Sequence, residues 1–158
     1  MRTPKIYIET SVFNHAVSDQ SPEKRKDTLK LFEEIRNGKF IPYTSDYVRD
    51  EVRKASHEKR RELREFIREQ DIELLQKTDE IERLADEYIK ENIIPEKYRT
   101  DALHIATATV NNIDIVVSWN FKHIVKRNTM IMTKLVNKRN GYNEVEIYSP
   151  PEVTEDGV

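Results

Sequence analysis

The chain has 158 residues and no cysteine, which excludes disulfides, a thiolate nucleophile and Cys-ligated zinc. Its length predicts one domain, placed at residues 1–150, and a polar, frayed tail at residues 151–158. Charged residues make up 35% of the sequence, but the formal net charge of −2 does not indicate nucleic-acid binding. The N-terminus runs directly into a predicted strand and no apolar run approaches the ~20 residues of a membrane span. We therefore expect a cytoplasmic protein with no signal peptide and no membrane contact.

Strands and helices alternate along the chain. The predicted strands are residues 5–9, 40–44, 72–75, 113–118 and 145–148. Predicted helices begin after the N-caps Ser21, Ser45 and Thr100, another starts at Thr78-Asp79-Glu80, and two more span residues 58–70 and 130–138. This alternation predicts an α/β fold with a mostly parallel sheet covered by helices on both faces. The strand at 113–118 is the most apolar, which favours a central position in the sheet.

Four oxygen-bearing side chains lie where such a sheet places its ligand sites, beyond the carboxyl ends of the strands. Glu9 and Asn120 end strands, Asp101 opens a helix, and Glu51 falls on the apolar face of the helix after Ser45. Carboxylates gathered in one cleft repel each other unless a cation is present. Carboxylate and carbonyl oxygens are the ligands that Mg²⁺ and Mn²⁺ prefer, so the pattern predicts hard-cation chemistry on a phosphodiester.

Each of these residues also has an ordinary structural explanation. The alternatives are an exposed strand-end acid for Glu9, a surface ion pair for Glu51, a favourable helix-dipole position for Asp101 and a turn former for Asn120. His104 lies one helical turn after Asp101, where a packed or hydrogen-bonded histidine is more common than a general base. The hydroxyls of Thr10 and Ser11 follow Glu9 and are suited to fixing its carboxylate.

A basic stretch follows Asn120. Residues 121–143 contain no Asp or Glu but include Lys122, Lys126 and Arg127. Such a stripe attracts a phosphate backbone, or it pairs with acids elsewhere in the protein. His123 fits a structural or phosphate-facing role better than a catalytic one. Trp119 fits base stacking or core packing equally well.

Four segments together resemble the PIN domain family. They are Ile6-Tyr-Ile-Glu-Thr-Ser-Val-Phe, the helix of residues 45–52, Asp101-Ala-Leu-His-Ile-Ala-Thr-Ala and Ser118-Trp-Asn-Phe-Lys-His-Ile. The segment from Gly141 to Val153 resembles the end of the VapC-like branch. Two positions depart from the family pattern: Glu9 replaces an aspartate, and Asn120 replaces an aspartate with the loss of one charge.

The resemblance implies a three-layer α/β/α fold and an Mg²⁺- or Mn²⁺-dependent endoribonuclease, the toxin of a type II toxin–antitoxin pair, that uses a metal-activated water. It also implies a homodimer and a small antitoxin partner. The residues it assigns to catalysis and metal binding are Glu9, Glu51 and Asp101, with Asn120 as an accessory ligand. From the residues themselves we expect RNA contacts at Ser11, Lys122, Lys126 and Arg127, and supporting roles for Thr10 and His104.

Two other functions remain open from the sequence. Asn120 and the acidic overall balance favour a PIN-like module that binds RNA or a protein partner with weak or no cleavage. A metal-dependent phosphoesterase acting on DNA, or a flap-type nuclease, is disfavoured because the chain has no obvious helical arch or threading insertion.

Overall fold

The computed structural model describes residues 2–154, in which five strands form one parallel sheet. The strands are β1 (Lys5–Ile8), β2 (Ile41–Ser45), β3 (Glu73–Leu75), β4 (Ile115–Val117) and β5 (Glu146–Tyr148). Their order across the sheet is β3-β2-β1-β4-β5, and Tyr7 at the centre pairs with Tyr43 on one side and Val116 on the other. The predicted α/β class with a parallel sheet is confirmed. The most apolar strand, β4, lies inside the sheet but next to the centre, which β1 occupies.

Eight α-helices cover the sheet within residues 2–154. They are α1 (Thr10–Val17), α2 (Pro22–Arg36), α3 (Asp46–Arg53), α4 (His57–Glu69), α5 (Asp79–Lys90), α6 (Arg99–Val110), α7 (Arg127–Arg139) and α8 (Pro150–Val153), with a 3₁₀ turn at Glu96–Tyr98. Helix α5 packs against α6 and α7, while α1 packs against α2 and α4, which gives the three-layer α/β/α arrangement. The core contains the central strand and its neighbours, with Ile6, Tyr7 and Ile8 all fully buried.

Several boundaries differ from the sequence-based expectation. Thr100 is not the N-cap of its helix, because the 3₁₀ turn runs directly into α6 and places Thr100 in the first turn. Helix α7 begins at Arg127, three residues before the predicted start. Helix α1 was not predicted at all, because its β-branched residues directly follow a strand. The caps predicted at Ser21 and Ser45 are confirmed by side-chain hydrogen bonds to backbone N–H groups. Thr78, where a helix was predicted to start, caps α5 in the same way.

The C-terminal segment is more ordered than its composition suggests. The predicted fraying does not hold for residues 151–153, which belong to α8 and pack against α2. Residues 155–158 of the predicted tail lie outside the described residues, and the division at residue 150 stays a prediction. Within residues 2–154, no helix combines the length and the apolar character that crossing a membrane requires.

Candidate metal centre

Glu9 lies directly after the central strand and at the N-cap of α1. Its side chain is almost fully buried, at 4% exposure. Two hydroxyls hold the carboxylate: Ser11 Oγ and Ser118 Oγ each donate to Oε1 over 2.5 Å. Burial raises the pKa of Glu9 above its ordinary value, although the charge of His104 and the two hydroxyls oppose this. A buried carboxylate with an elevated pKa gains most from a nearby cation.

Glu51 approaches the same point from α3. Its Oε1 accepts hydrogen bonds from Thr10 Oγ1 at 2.5 Å and from His104 Nε2 at 2.6 Å. Burial raises the pKa of Glu51, but the hydrogen bonds and charge of His104 outweigh this effect, with help from Thr10, and leave it below the ordinary value. Glu51 therefore faces inward, as its position on the apolar face of the helix predicted.

His104 lies on α6 and is fully buried. Its second ring nitrogen, Nδ1, is 2.6 Å from Tyr7 Oη, and Tyr7 Oη is 2.7 Å from Ser45 Oγ. Burial lowers the pKa of His104, but the Glu51 hydrogen bond and the charges of Glu9, Glu51 and Asp101 together raise it. Both ring nitrogens thus form hydrogen bonds, so the role of His104 is to orient the carboxylate of Glu51. This agrees with the hydrogen-bonded histidine expected at this position.

The ligand atoms of Glu9, Glu51 and His104 lie within 4.8 Å of one another. Because the imidazole is already paired on both sides, the donor set is better described as two carboxylates than as a histidine site. Oε2 of each glutamate accepts no hydrogen bond from residues 2–154, so one oxygen per carboxylate remains for a ligand. Two carboxylates with uncommitted oxygens suit Mg²⁺ or Mn²⁺.

Asp101 lies one turn before His104 on α6, close enough for its charge to act on the imidazole. Its Oδ2 is 3.0 Å from His123 Nδ1, and its side chain is 15% exposed. Among residues 2–154, Asp101 is not a member of the 4.8 Å cluster. The structure therefore places it next to His104 and His123, and its role as a ligand stays a prediction.

Asn120 follows β4, as predicted, but its amide oxygen is directed at the backbone. Oδ1 accepts hydrogen bonds from the N–H groups of Lys122 at 3.2 Å and His123 at 3.0 Å. This is the turn-forming geometry that the sequence left open. The ligand role of Asn120 stays a prediction, because binding a cation through Oδ1 would compete with these two hydrogen bonds.

Ser118 contributes more than the sequence indicated. Its hydroxyl donates to Glu9 and accepts the backbone N–H of Asn120 at 2.9 Å, so one side chain joins the carboxylate to the loop after β4. Ser11 has a matching role, because its hydroxyl also accepts the backbone N–H of Trp119 at 2.8 Å. A hydroxyl at a strand's carboxyl end was the available signal, but its partner depends on how the two loops meet.

Some basic side chains of the stretch after Asn120 are available to bind a ligand. Lys122, Lys126 and Arg127 are exposed, and none forms a salt bridge within the described part of the chain. Lys122 Nζ lies 5.5 Å from the ring centroid of Tyr98, whose ring contacts that of His123 at 4.2 Å. RNA contact by the three basic residues and by Ser11 stays a prediction.

Trp119 is an interior residue. It is 8% exposed, and its Nε1–H donates to Thr28 Oγ1 at 2.8 Å. Core packing, one of the two roles left open, is therefore its role in this fold. The exposed ring at this edge of the site belongs instead to Phe121, at 51% exposure, which the sequence reasoning missed.

Comparison with known proteins agrees with the three-layer α/β/α fold. The sequence model of the PIN domain matches residues 5–122, about three quarters of the chain. A similar solved structure is described as VapBC2 from Rickettsia felis bound to a DNA fragment from their promoter. The superposition has a TM-score of 0.56 at 14% identity and covers 91% of this chain and 97% of that chain. At this identity the likeness concerns the fold alone. A search of characterised proteins by sequence gave no match.

Proposed function

The chain belongs to the PIN domain family, and on this basis we propose that it is an Mg²⁺- or Mn²⁺-dependent endoribonuclease, the toxin of a type II toxin–antitoxin pair. The observation that carries the proposal is the pair formed by the buried Glu9 and the half-buried Glu51, whose ligand atoms lie within 4.8 Å of each other while one oxygen of each remains uncommitted. The exposed basic residues after Asn120 add a surface suited to a phosphate backbone. Likeness to a VapBC2 chain supports an antitoxin partner and a homodimer.

The residues of this chain have distinct tasks in that reaction. When bound, Mg²⁺ or Mn²⁺ lowers the pKa of water and neutralises charge that develops on the phosphate. Glu9 and Glu51 would hold the cation, with Asp101 adjacent. Ser11 and Ser118 fix Glu9, and Thr10 and His104 fix Glu51, so neither carboxylate needs to reorganise.

RNA cleavage by the purified protein tests the proposal directly. Labelled single-stranded and structured RNA are incubated with Mn²⁺, with EDTA, and with the variants Glu9→Gln and Asp101→Asn. We expect cleavage that EDTA and Glu9→Gln abolish. Cleavage that persists in EDTA would contradict a metal nuclease, and cleavage unchanged by Asp101→Asn would remove Asp101 from the site.

The alternative function is a PIN module that binds RNA or a protein without cutting. The hydrogen bonds that the amide oxygen of Asn120 accepts from its own loop favour it, because they engage the oxygen that a fourth ligand would provide. The same assay separates the two functions. RNA binding that is unaffected by EDTA, with no cleavage in Mn²⁺, supports the module.

A further inference from the structure

Phe121 is a large apolar ring exposed at the edge of the candidate metal centre. Half of its surface, 51%, is open to solvent, and its neighbours in the chain are the polar residues Asn120 and Lys122. The ring rests edge-on against the buried Trp119, with centroids 6.1 Å apart. The hydrogen bond to Thr28 fixes the Trp119 ring, so Phe121 packs against a rigid neighbour. Such a ring is preorganised to receive a flat partner.

This ring is coupled closely to Glu9. The backbone N–H of Trp119 donates to Ser11 Oγ, and Ser11 Oγ donates to Glu9. The next residue, Asn120, donates its N–H to Ser118 Oγ, which also donates to Glu9. The loop that presents Phe121 is therefore the loop that holds the carboxylate.

A lysine completes the surface. Lys24 Nζ, on α2, lies 5.3 Å from the Trp119 ring centroid and 5.7 Å from that of Phe121. Lys24 forms no ion pair with an acid within residues 2–154, so its charge remains available to an anion. Exposed aromatic rings with adjacent free cations are the pattern of single-stranded nucleic-acid binding, in which bases stack and phosphates pair with the cations. A protein partner would more often meet a continuous apolar patch.

We propose that Phe121 and Lys24 form a stacking platform for one unpaired RNA base, with Phe121 carrying the base and Lys24 pairing with the adjoining phosphate. This inference rests on the proposed function, since it names two residues that would hold the RNA. A base within a duplex is stacked on its neighbours and cannot reach the platform.

Binding without cleavage tests the platform. A short fluorescein-labelled single-stranded RNA and the matching duplex are titrated with the protein in EDTA, with fluorescence anisotropy as the readout. The variants are Phe121→Ala, Phe121→Tyr and Lys24→Gln. Leu135→Ala is the matched control, because Leu135 is another exposed apolar residue, at 58%, on α7. The single tryptophan of the chain, Trp119, gives a label-free second signal.

We expect Phe121→Ala to weaken single-stranded RNA binding about tenfold and to leave duplex binding almost unchanged. Phe121→Tyr should retain affinity, since the ring remains. Lys24→Gln should lower the slope of log affinity against log salt by about one. Single-stranded RNA should also change the Trp119 emission of the unaltered protein.

Equal single-stranded affinity for Phe121→Ala and the unaltered protein would overturn the inference, and so would an equal loss with Leu135→Ala or with the duplex. A single-stranded DNA arm distinguishes the sugar: weakening of DNA binding alone would also overturn the RNA platform. These outcomes are independent of the proposed function, whose failure appears as absent cleavage in Mn²⁺.

Discussion

At the level of single residues, His104 determines how well Glu51 is positioned. It is fully buried and bonded on both ring nitrogens, to Glu51 and to Tyr7. Loss of a partner that orients a metal-binding carboxylate typically costs roughly 10- to 100-fold in metal affinity or activity. We therefore expect His104→Ala to lower Mn²⁺ affinity, measured by isothermal titration calorimetry, and the RNA cleavage rate by a factor in that range.

The matched control for this change is Tyr7→Phe. It keeps the ring packed in the core but removes the hydroxyl that pairs with His104 Nδ1. Its effect on Mn²⁺ affinity should be smaller, because the hydrogen bond between His104 and Glu51 is retained. Thermal unfolding of both variants shows whether the protein remains folded. A folded His104→Ala protein with unaltered Mn²⁺ affinity would disprove the positioning role.

The sequence allowed prediction of some individual residues but not of their partners. Glu9 and Glu51 meet because the strand and helix that carry them have adjacent carboxyl and amino ends, which patterning indicates. The loop after β4 is different. The direction of the Asn120 amide depends on local turn geometry, and the bond from Ser118 to Glu9 joins residues 109 positions apart. Neither follows from spacing along the chain.

At the level of elements, Asp114 holds the start of β4 beside the start of β1. Its carboxylate accepts the backbone N–H of Lys5 at 2.8 Å and pairs with both terminal nitrogens of Arg2. The Arg2 hydrogen bond is the largest effect that lowers the pKa of Asp114, and the Lys5 N–H adds to it. A lowered folded-state pKa means that Asp114 stabilises the fold above its unfolded-state pKa, and that this contribution disappears as the pH falls through the folded-state value.

The expected result is a difference that depends on pH. Asp114→Asn should lower the urea midpoint relative to the unaltered protein at pH 7, and the gap should close as the pH falls below about 4. Arg2→Gln should give a smaller loss with the same pH trend, because the Lys5 hydrogen bond persists. A gap that stays constant down to acid pH would show that the charge of Asp114 has no part in it.

Helix α8 has a capping pattern in the sequence, but the composition of this segment favoured a frayed tail over a helix. Ser149 and Glu152 form a capping box, in which the Glu152 carboxylate accepts the backbone N–H of Ser149 at 2.8 Å and its hydroxyl at 2.7 Å. The Ser-x-x-Glu pattern is readable in the sequence. The two prolines and the polar residues around it instead favoured a frayed tail. Contact with α2, which no local pattern encodes, keeps the short helix in place.

This cap has a measurable contribution. Ser149→Ala removes the hydroxyl of the capping box and should lower the free energy of unfolding by about 1 kcal/mol, as is typical of N-cap removal. Ser149→Thr retains a hydroxyl and should restore most of it. Urea denaturation gives both values. An unchanged midpoint for Ser149→Ala would mean that packing on α2 alone holds this end of the chain.

At the level of the whole molecule, the fold class was predictable and the strand order was not. Alternating strand and helix patterns require crossover connections, and these make the sheet parallel. The order β3-β2-β1-β4-β5 depends instead on which strand pairs with β1, since two strands in the chain separate β1 from β4. Apolar content distinguishes interior strands from edges, so it placed β4 inside the sheet without identifying β1 as its centre.

The metal centre also acts on the stability of the whole fold. A cation that binds only the folded protein stabilises it by about 2.7 kcal/mol at a concentration 100 times its Kd. For a domain of this size this corresponds to a rise of roughly 5–10 °C in the melting temperature. Glu9 and Glu51 are 42 positions apart in the chain, so the unfolded chain offers no equivalent site.

We therefore expect Mn²⁺ to raise the melting temperature measured by calorimetry, and EDTA to reverse the rise completely. The variant Glu9→Gln should melt at a temperature independent of Mn²⁺. It should also approach or exceed the stability of the metal-free protein, because the buried carboxylate, whose pKa burial raises, is replaced by a neutral amide. A rise of equal size in Glu9→Gln would show that the cation acts through acids on the surface. The pair Glu9 and Glu51 would then not be the cation site.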